Sequence, residues 1–175
     1  KFKQIPLEKG TLLELIRLGR LYSSAMNAQP IRFALITEQE NRDALFSTLN
    51  WAMRLHPYKI EENERPMAYI LLLGKEEESS FFDFDSGSAA ATVMLAASGF
   101  EIENCCLKIP NPKAVADLFH FEGYIPYYAI ALGKGKVESS IIDATDSISY
   151  YLDENENFVV PKRTEKDVLI YSDME

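Results

Sequence analysis

The feature that most constrains the fold of this sequence is an uninterrupted apolar run at residues 67–73, MAYILLL. Pro66 precedes the run and Gly74 follows it, so its length suits a strand and falls well short of the ~20 residues of a membrane span. A strand without polar alternation is typical of the centre of a sheet that is covered on both faces. We therefore expect residues 67–73 to form the central strand.

Helical patterns lie on either side of this run. Residues 86–100 are rich in Gly and Ala on several faces, which predicts a central helix with close neighbours on more than one side. Capping boxes at residues 11–14 and 37–40 predict the starts of two earlier helices, and Asn111 before Pro112 predicts the start of a later one. Because strands and helices interleave, the class is α+β or α/β, with a mixed sheet covered by helices on both faces.

Composition limits the classes of partner and compartment. The 175 residues predict a single domain, 1–175, and the net charge of −9 argues against a nucleic-acid partner. The sequence shows neither a membrane span nor a signal peptide. Cys105 and Cys106 are adjacent and read as buried small residues that form no disulfide framework, which fits the cytoplasm. His56 and His120 lack the spacing of metal ligands, so we expect no metal site.

The stretch SSAMNAQP, residues 23–30, connects a predicted helix to a predicted strand at residues 32–36. In one interpretation Ser and Asn side chains only bond the last helical carbonyls and the loop backbone. In the other, these polar side chains face a ligand. Asp85, directly before the predicted central helix, is read as its N-cap.

Five collinear segments favour the ligand. SSAMNAQP resembles the P-S-x-x-N-x-Q-P motif of the FMN-dependent nitroreductase family, with Ser23 where Pro is usual. The other four resemble its central strand, its core helix with the flavin loop, its last strand and its phosphate-binding tail: ERPMAYILLLG (64–74), DSGSAAATVMLAASGFEIENCCLKI (85–109), YYAIALGKGK (127–136) and VVPKRT (159–164). LNWA (49–52) followed by ERP is closest to a small subgroup. The resemblance implies an α+β, nitroreductase-like fold and a two-fold homodimer.

The resemblance also implies an FMN site without a catalytic side chain, since the flavin carries the chemistry. Residues of the polar loop match positions that reach the flavin, residues near 106 match those that pack against the ring or offer N–H groups to N5 and O4, and two tail residues match phosphate ligands. The residues are Ser23, Ser24, Asn27, Gln29, Cys106, Leu107, Lys108, Ile109, Lys162 and Arg163. For Lys162 and Arg163 the alternative is a role in surface solubility alone.

The sequence departs from the family at three points. Most members carry R-R-S-x-R before a K-F or R-F pair, whereas this sequence begins at Lys1. We expect that segment to have been removed or to be disordered; the alternative is that the protein lacks it. Glu101 and Glu103 replace glycines, and Lys108 stands where the flavin loop usually has Gly, so position 108 is expected to avoid a positive φ or to tolerate a cost of about 1 kcal/mol.

The function that the resemblance implies is that of an FMN-dependent oxidoreductase. Hydride would pass from NADH or NADPH to a small acceptor such as a nitroaromatic or a quinone. One alternative is an FMN-binding or regulatory member without significant turnover. Another is a dimeric scaffold that has lost the cofactor.

Overall fold

The computed structural model describes residues 1–55, 57–76 and 81–173. The apolar run forms the strand Ala68–Gly74, β3, and all seven of its residues are buried. The strand lies between two others and is covered on both faces, which explains why it needs no polar side. The prediction of a central strand is confirmed, with a shift of one residue at each end.

Among the described residues the main sheet has five strands, and all of its pairs are antiparallel, whereas the sequence predicts a mixed sheet. The order is β1-β5-β3-β2, and β4 pairs with β5 on the same side as β1. The register with β3 shifts between Leu72 and Leu73, where a bulge lies. The remaining strands of this sheet are β1 (Phe2–Lys3), β2 (Arg32–Ile36), β4 (Glu103–Lys108) and β5 (Ile125–Gly135).

Helices cover both faces of the sheet, which confirms the α+β class. On one face Leu15 of α1 and Val93 of α3 join the apolar cluster, and on the other Leu45 of α2 and Val115 of α4 do so. Side chains of β3 alternate between the two clusters, as the pleat requires. The helices are α1 (Lys9–Gly19), α2 (Gln39–Phe46), α3 (Phe82–Gly99) and α4 (Pro112–Phe119).

The two predicted capping boxes are wrong. α1 begins after Glu8 and α2 after Glu38, and neither has a side-chain cap. Thr11 is already inside its helix, and Thr37 precedes the extended residue that starts the next one. The extended backbone of the residue before each helix therefore determines where the helix begins. The cap at Asn111 is confirmed, since its side chain accepts the Ala114 N–H at 3.2 Å.

A second compact unit consists of residues Ala52–Lys59 and Lys136–Glu175. Its strand β8 (Phe158–Lys162) pairs in parallel with β6 (Ser139–Asp143) and antiparallel with β7 (Tyr151–Leu152). A short helix, α5 (Glu165–Val168), follows. The first unit consists of residues Lys1–Trp51 and Ile60–Gly135. A single domain over 1–175 stays a prediction.

None of the helices in the described part of the chain has both the length and the apolar character that a membrane crossing requires.

Candidate functional site: a polar loop held by the first turn of α3

The polar loop lies between α1 and β2 and is mostly exposed. Its centre is a short 3-10 turn, Ala25–Asn27. Ser23, Asn27 and Gln29 are exposed and Ser24 is half-buried, so the predicted contacts of the loop are open to a ligand.

Three residues of this loop have left-handed backbones, namely Met26 (φ 51°), Asn27 (φ 55°) and Gln29 (φ 47°). Asn tolerates this region, but Met and Gln have a Cβ and longer side chains that make it costly, by about 1–2 kcal/mol each. No sequence pattern signals these conformations. They persist because hydrogen bonds fix the loop.

Ser24 supplies one of these bonds. Its Oγ accepts the N–H of Gln29 at 3.0 Å and so closes the loop. Arg32 donates to the carbonyl of Gln29 at 2.7 Å, and the side-chain amide of Gln29 donates to the carbonyl of Asn27 at 3.3 Å. The interpretation that Ser bonds the loop backbone thus holds for Ser24, and its hydroxyl proton remains available to a ligand.

Asp85, in the first turn of α3, bonds the backbone of the loop. It is fully buried, and its Oδ1 accepts the N–H of Ala25 at 3.0 Å. The interpretation of Asp85 as the N-cap of the central helix is wrong, because α3 begins at Phe82 and Asp85 lies within its first turn. No sequence signal predicts this tertiary bond, since a carboxylate near a helix start is adequately explained as a cap.

The predicted ring contacts lie on β4, and neighbouring side chains there point to opposite faces of the sheet. Cys106 packs against the cluster on the α1 and α3 face, whereas Leu107 and the buried Ile109 belong to the opposite cluster. A flavin ring on one face therefore meets either Cys106 or Leu107 through its side chain, but not both. Cys105 is exposed and Cys106 is half-buried, so the expectation that both cysteines are buried is wrong.

Backbone N–H groups of β4 alternate in the same way. The N–H of Ile109 donates to the carbonyl of Tyr127 on β5 at 2.9 Å. Lys108 faces Tyr128 in the register, so in this antiparallel pair the N–H of Lys108 points away from β5. Within the described residues β4 pairs only with β5, and this edge is open. Lys108 can offer its N–H to a ligand, whereas Ile109 would first have to break a sheet bond.

Lys108 and Glu101, which stand where the family usually has glycine, differ in backbone conformation. Lys108 is not left-handed, as the sequence predicts for a residue with a Cβ. Glu101 is left-handed at φ 54°, and its carbonyl accepts Nζ of Lys134 at 2.7 Å. The substitution by Glu is therefore tolerated at a strained position.

Tyr128, near the start of β5, links this strand to α3. Its hydroxyl donates to Oδ1 of Asp83 at 3.2 Å. Burial raises the pKa of the Tyr128 hydroxyl and the charge of Asp83 raises it further, so the group stays protonated at neutral pH. Next to it, the rings of Phe82 and Tyr127 meet edge to face at 4.9 Å. The first turn of α3 thus contacts both the polar loop and the strand beside β4.

Two arginines that the sequence analysis did not single out lie beside the loop. Arg20 and Arg32 line a cavity of about 310 Å³ together with Gln29. Apolar side chains complete its lining: Ile16, Tyr22, Ile31 and Phe33. In a chain of net charge −9, these guanidinium groups place positive charge next to the predicted site.

Lys162 and Arg163 belong to the second unit. Lys162 ends β8, Arg163 follows it, and both are exposed. Their contact with a phosphate stays a prediction.

The cysteines and acidic residues of the described ranges form no metal-binding group. Cys105 and Cys106 are free thiols, and burial raises the pKa of the Cys106 thiol to about 11, with Cys105 contributing. In the described ranges no group of three or more His, Cys, Asp or Glu residues is arranged to hold a metal ion. His56 lies outside the described residues.

Comparison with known proteins assigns the family. The model of the nitroreductase family matches residues 1–134. Among curated proteins none matches the chain.

Solved structures share the fold. An FMN-dependent nitroreductase from Clostridium difficile R20291 has a TM-score of 0.67 and 16% identity, and the match covers 79% of this chain and 82% of that one. A protein of Parabacteroides distasonis ATCC 8503, provisionally named an NADH dehydrogenase/NAD(P)H nitroreductase, has a TM-score of 0.69 and 19% identity, with 100% and 91% covered. A nitroreductase family protein from Clostridium novyi NT has a TM-score of 0.66 and 16% identity, with 78% of each chain covered. The family model covers more than half of the sequence, and the chain belongs to the nitroreductase family.

Proposed function

We propose that the chain is an FMN-dependent oxidoreductase that passes hydride from NADH or NADPH to a small acceptor such as a nitroaromatic or a quinone. One observation carries the proposal. The first turn of α3 bonds the polar loop through Asp85 and Ala25, and it bonds the strand beside β4 through Asp83 and Tyr128. One helical turn thereby holds the polar loop and the strand that pairs with the predicted ring segment on β4.

The residues present suit FMN. Exposed Asn27 and Gln29 offer the neutral donors and acceptors that ribityl hydroxyls require. The phosphate is a dianion and needs cations, which Arg20 and Arg32 supply beside the loop. Lys162 and Arg163 are proposed as further phosphate ligands.

When bound, FMN supplies the hydride-transfer chemistry, and the chain supplies binding and orientation. We propose that the outward N–H of Lys108 donates to the ring and that its ammonium group adds positive charge nearby. Ser24 both closes the loop and donates its hydroxyl proton. Cys106 limits access to the ring on the α3 face. A contact from Ile109 requires its N–H to leave Tyr127.

We further propose a two-fold homodimer that involves α3. The helix buries Val93 and Ala97 on one side and leaves Phe84 and Leu95 exposed on the other, at 72% and 75%. Large apolar side chains at such exposure are typical of a surface that a partner covers. Cytoplasmic localisation stays part of the proposal.

The proposed function is tested by following the absorbance of bound FMN and its loss when the flavin is reduced. Purified protein, titrated with FMN, is expected to bind it and to lose the flavin absorbance under anaerobic NADH or NADPH, with recovery on addition of a quinone. FMN binding without bleaching would favour the non-catalytic alternative, and no binding at all would overturn the proposal.

A paired variant locates the site. Ser24→Ala with Asn27→Ala is expected to weaken FMN binding by about 10-fold or more, because each lost bond to a buried polar group costs about 1 kcal/mol. Ser47→Ala is the matched control, since Ser47 Oγ donates to the Ala44 carbonyl on α2, outside the loop. Equal affinities for all three proteins would place FMN elsewhere.

A further inference from the structure

Asp85 is the buried carboxylate that bonds the polar loop, and only one of its two oxygens has a hydrogen-bond partner among the described residues. One oxygen accepts the Ala25 N–H at 3.0 Å. Among the described residues, the other oxygen and the hydroxyl of Ser86 have no hydrogen-bond partner, although both side chains are buried. Burying a carboxylate with so few bonds costs free energy, so its position needs a reason.

The helix end explains only part of this burial. Negative charge is favourable in the first turn of an 18-residue helix such as α3. Asp83 lies in the same turn and gains that benefit while it stays exposed. What distinguishes Asp85 is its bond to the loop.

The loop requires such a bond. Ala25 opens the turn in which Met26 and Asn27 become left-handed, and Gln29 is left-handed as well. Ser24 Oγ holds the end of the loop through the Gln29 N–H at 3.0 Å, whereas Asp85 holds its beginning. Without the Asp85 bond, the turn's own backbone bonds are the remaining bonds among the described residues that offset the strain at the start of the turn.

We propose that Asp85 is a positioning residue of the flavin site. It fixes the loop conformation, left-handed at Met26, Asn27 and Gln29, that presents Asn27 and Gln29 at the surface. It acts through Ala25 without touching the ligand. This inference rests on the proposed function, because FMN is the ligand that the loop would serve.

The test compares Asp85→Ala with Asp117→Ala, which removes the same charge from an exposed position on α4, outside the proposed site. Amide hydrogen exchange of Ala25 and Gln29, measured without flavin, is expected to speed up about 10-fold in Asp85→Ala while β3 and β5 stay protected, and FMN binding is expected to weaken by about 10-fold. Asp85→Asn keeps an oxygen acceptor and is expected to restore most of both. Asp117→Ala should stay within about 3-fold of the original protein in both measurements.

Three results would overturn the inference: unchanged loop exchange in Asp85→Ala, a looser loop with unchanged FMN affinity, or an equal effect of Asp117→Ala. If Asp85→Ala does not fold, Ala25→Pro removes the same bond from the donor side. Ser24 is extended at φ −124° and ψ 151°, as a residue before proline must be. Unchanged FMN affinity in Ala25→Pro would also overturn it. If the original protein fails to bind FMN, the proposed function fails, while loop exchange still reports on the Asp85 bond.

Discussion

Single residues of the polar loop adopt backbones that their side chains disfavour. Met26 is the clearest case, because it is left-handed while its side chain is 90% exposed and packs against almost nothing. Its conformation therefore comes from the bonds on either side of it. Local propensity cannot predict such a residue, since its own chemistry argues against the result.

Met26→Gly should raise the free energy of unfolding relative to Met26→Ala. Both variants remove the exposed side chain, but only Gly removes the Cβ that is strained at φ 51°. We expect a difference of about 1 kcal/mol, reduced somewhat by the greater entropy of Gly in the unfolded chain. Urea unfolding of the two variants measures it. An Ala variant as stable as the Gly variant would show that the loop is not strained at this position.

Residue-scale predictions from sequence succeed where the partner is local. Asn111 caps α4 because its acceptor meets an N–H three residues away. Asp85 fails as a cap because its partner is 60 residues away, and that contact exists only in the folded chain. The family motifs name the positions of the site residues. Only the strand register shows which backbone N–H groups of β4 point away from β5.

At the scale of elements, α1 and α3 approach each other closely at Gly19. A Cβ built at Gly19 would lie 2.6 Å from Cγ2 of Val93 and 3.5 Å from the ring of Phe33. The last residue of α1 is therefore Gly for lack of space and not for a left-handed turn. The sequence alone does not reveal this contact.

Gly19→Ala is expected to lower the free energy of unfolding by about 1–3 kcal/mol, because Val93 or the helix itself must move. Gly10→Ala, in the same helix, is the matched control, since nothing lies within 4 Å of its Cβ position. That variant should be neutral or stabilising by up to about 1 kcal/mol. Thermal or urea unfolding of both decides the matter, and a Gly19→Ala protein as stable as Gly10→Ala would contradict close packing at this crossing.

Strands could be predicted from the sequence better than helix starts. Residues 32–36 match β2 at both ends, because a short apolar run between Pro30 and a helix has few alternatives. α3 starts four residues before its predicted beginning, since Phe82 is drawn into the core against Tyr127. Tertiary packing outweighs the local signal there.

For the whole molecule, the exposed side of α3 is an apolar surface of the first unit. Phe84 and Leu95 are eleven residues apart, about three turns, so they lie on one side of the helix. The homodimer that we propose would cover them. The family match over residues 1–134 supports the proposal, whereas the sequence shows only that small residues line the same helix.

Leu95→Asp should dissociate this dimer. A carboxylate placed in an apolar contact without a partner costs several kcal/mol, so the dissociation constant is expected to rise by about 100-fold or more. Leu118→Asp on α4 is the matched control, because Leu118 is also exposed, at 45%, but lies on the opposite face of the sheet. Light scattering over a concentration series measures both. A Leu95→Asp protein that remains dimeric would exclude α3 from the contact.

The position of β5 also determines when the sheet can form. β1, β3 and β4 all pair with β5, yet β5 is the last of these strands along the chain and ends at Gly135. A chain emerging from the ribosome can pair β2 with β3 early, but the other edge of β3 stays open until about 60 further residues have been made. During synthesis at roughly 5–20 residues per second, this apolar edge is exposed for several seconds. We expect nascent chains truncated before residue 125 to bind chaperones that recognise extended apolar segments, and those that include Gly135 to release them.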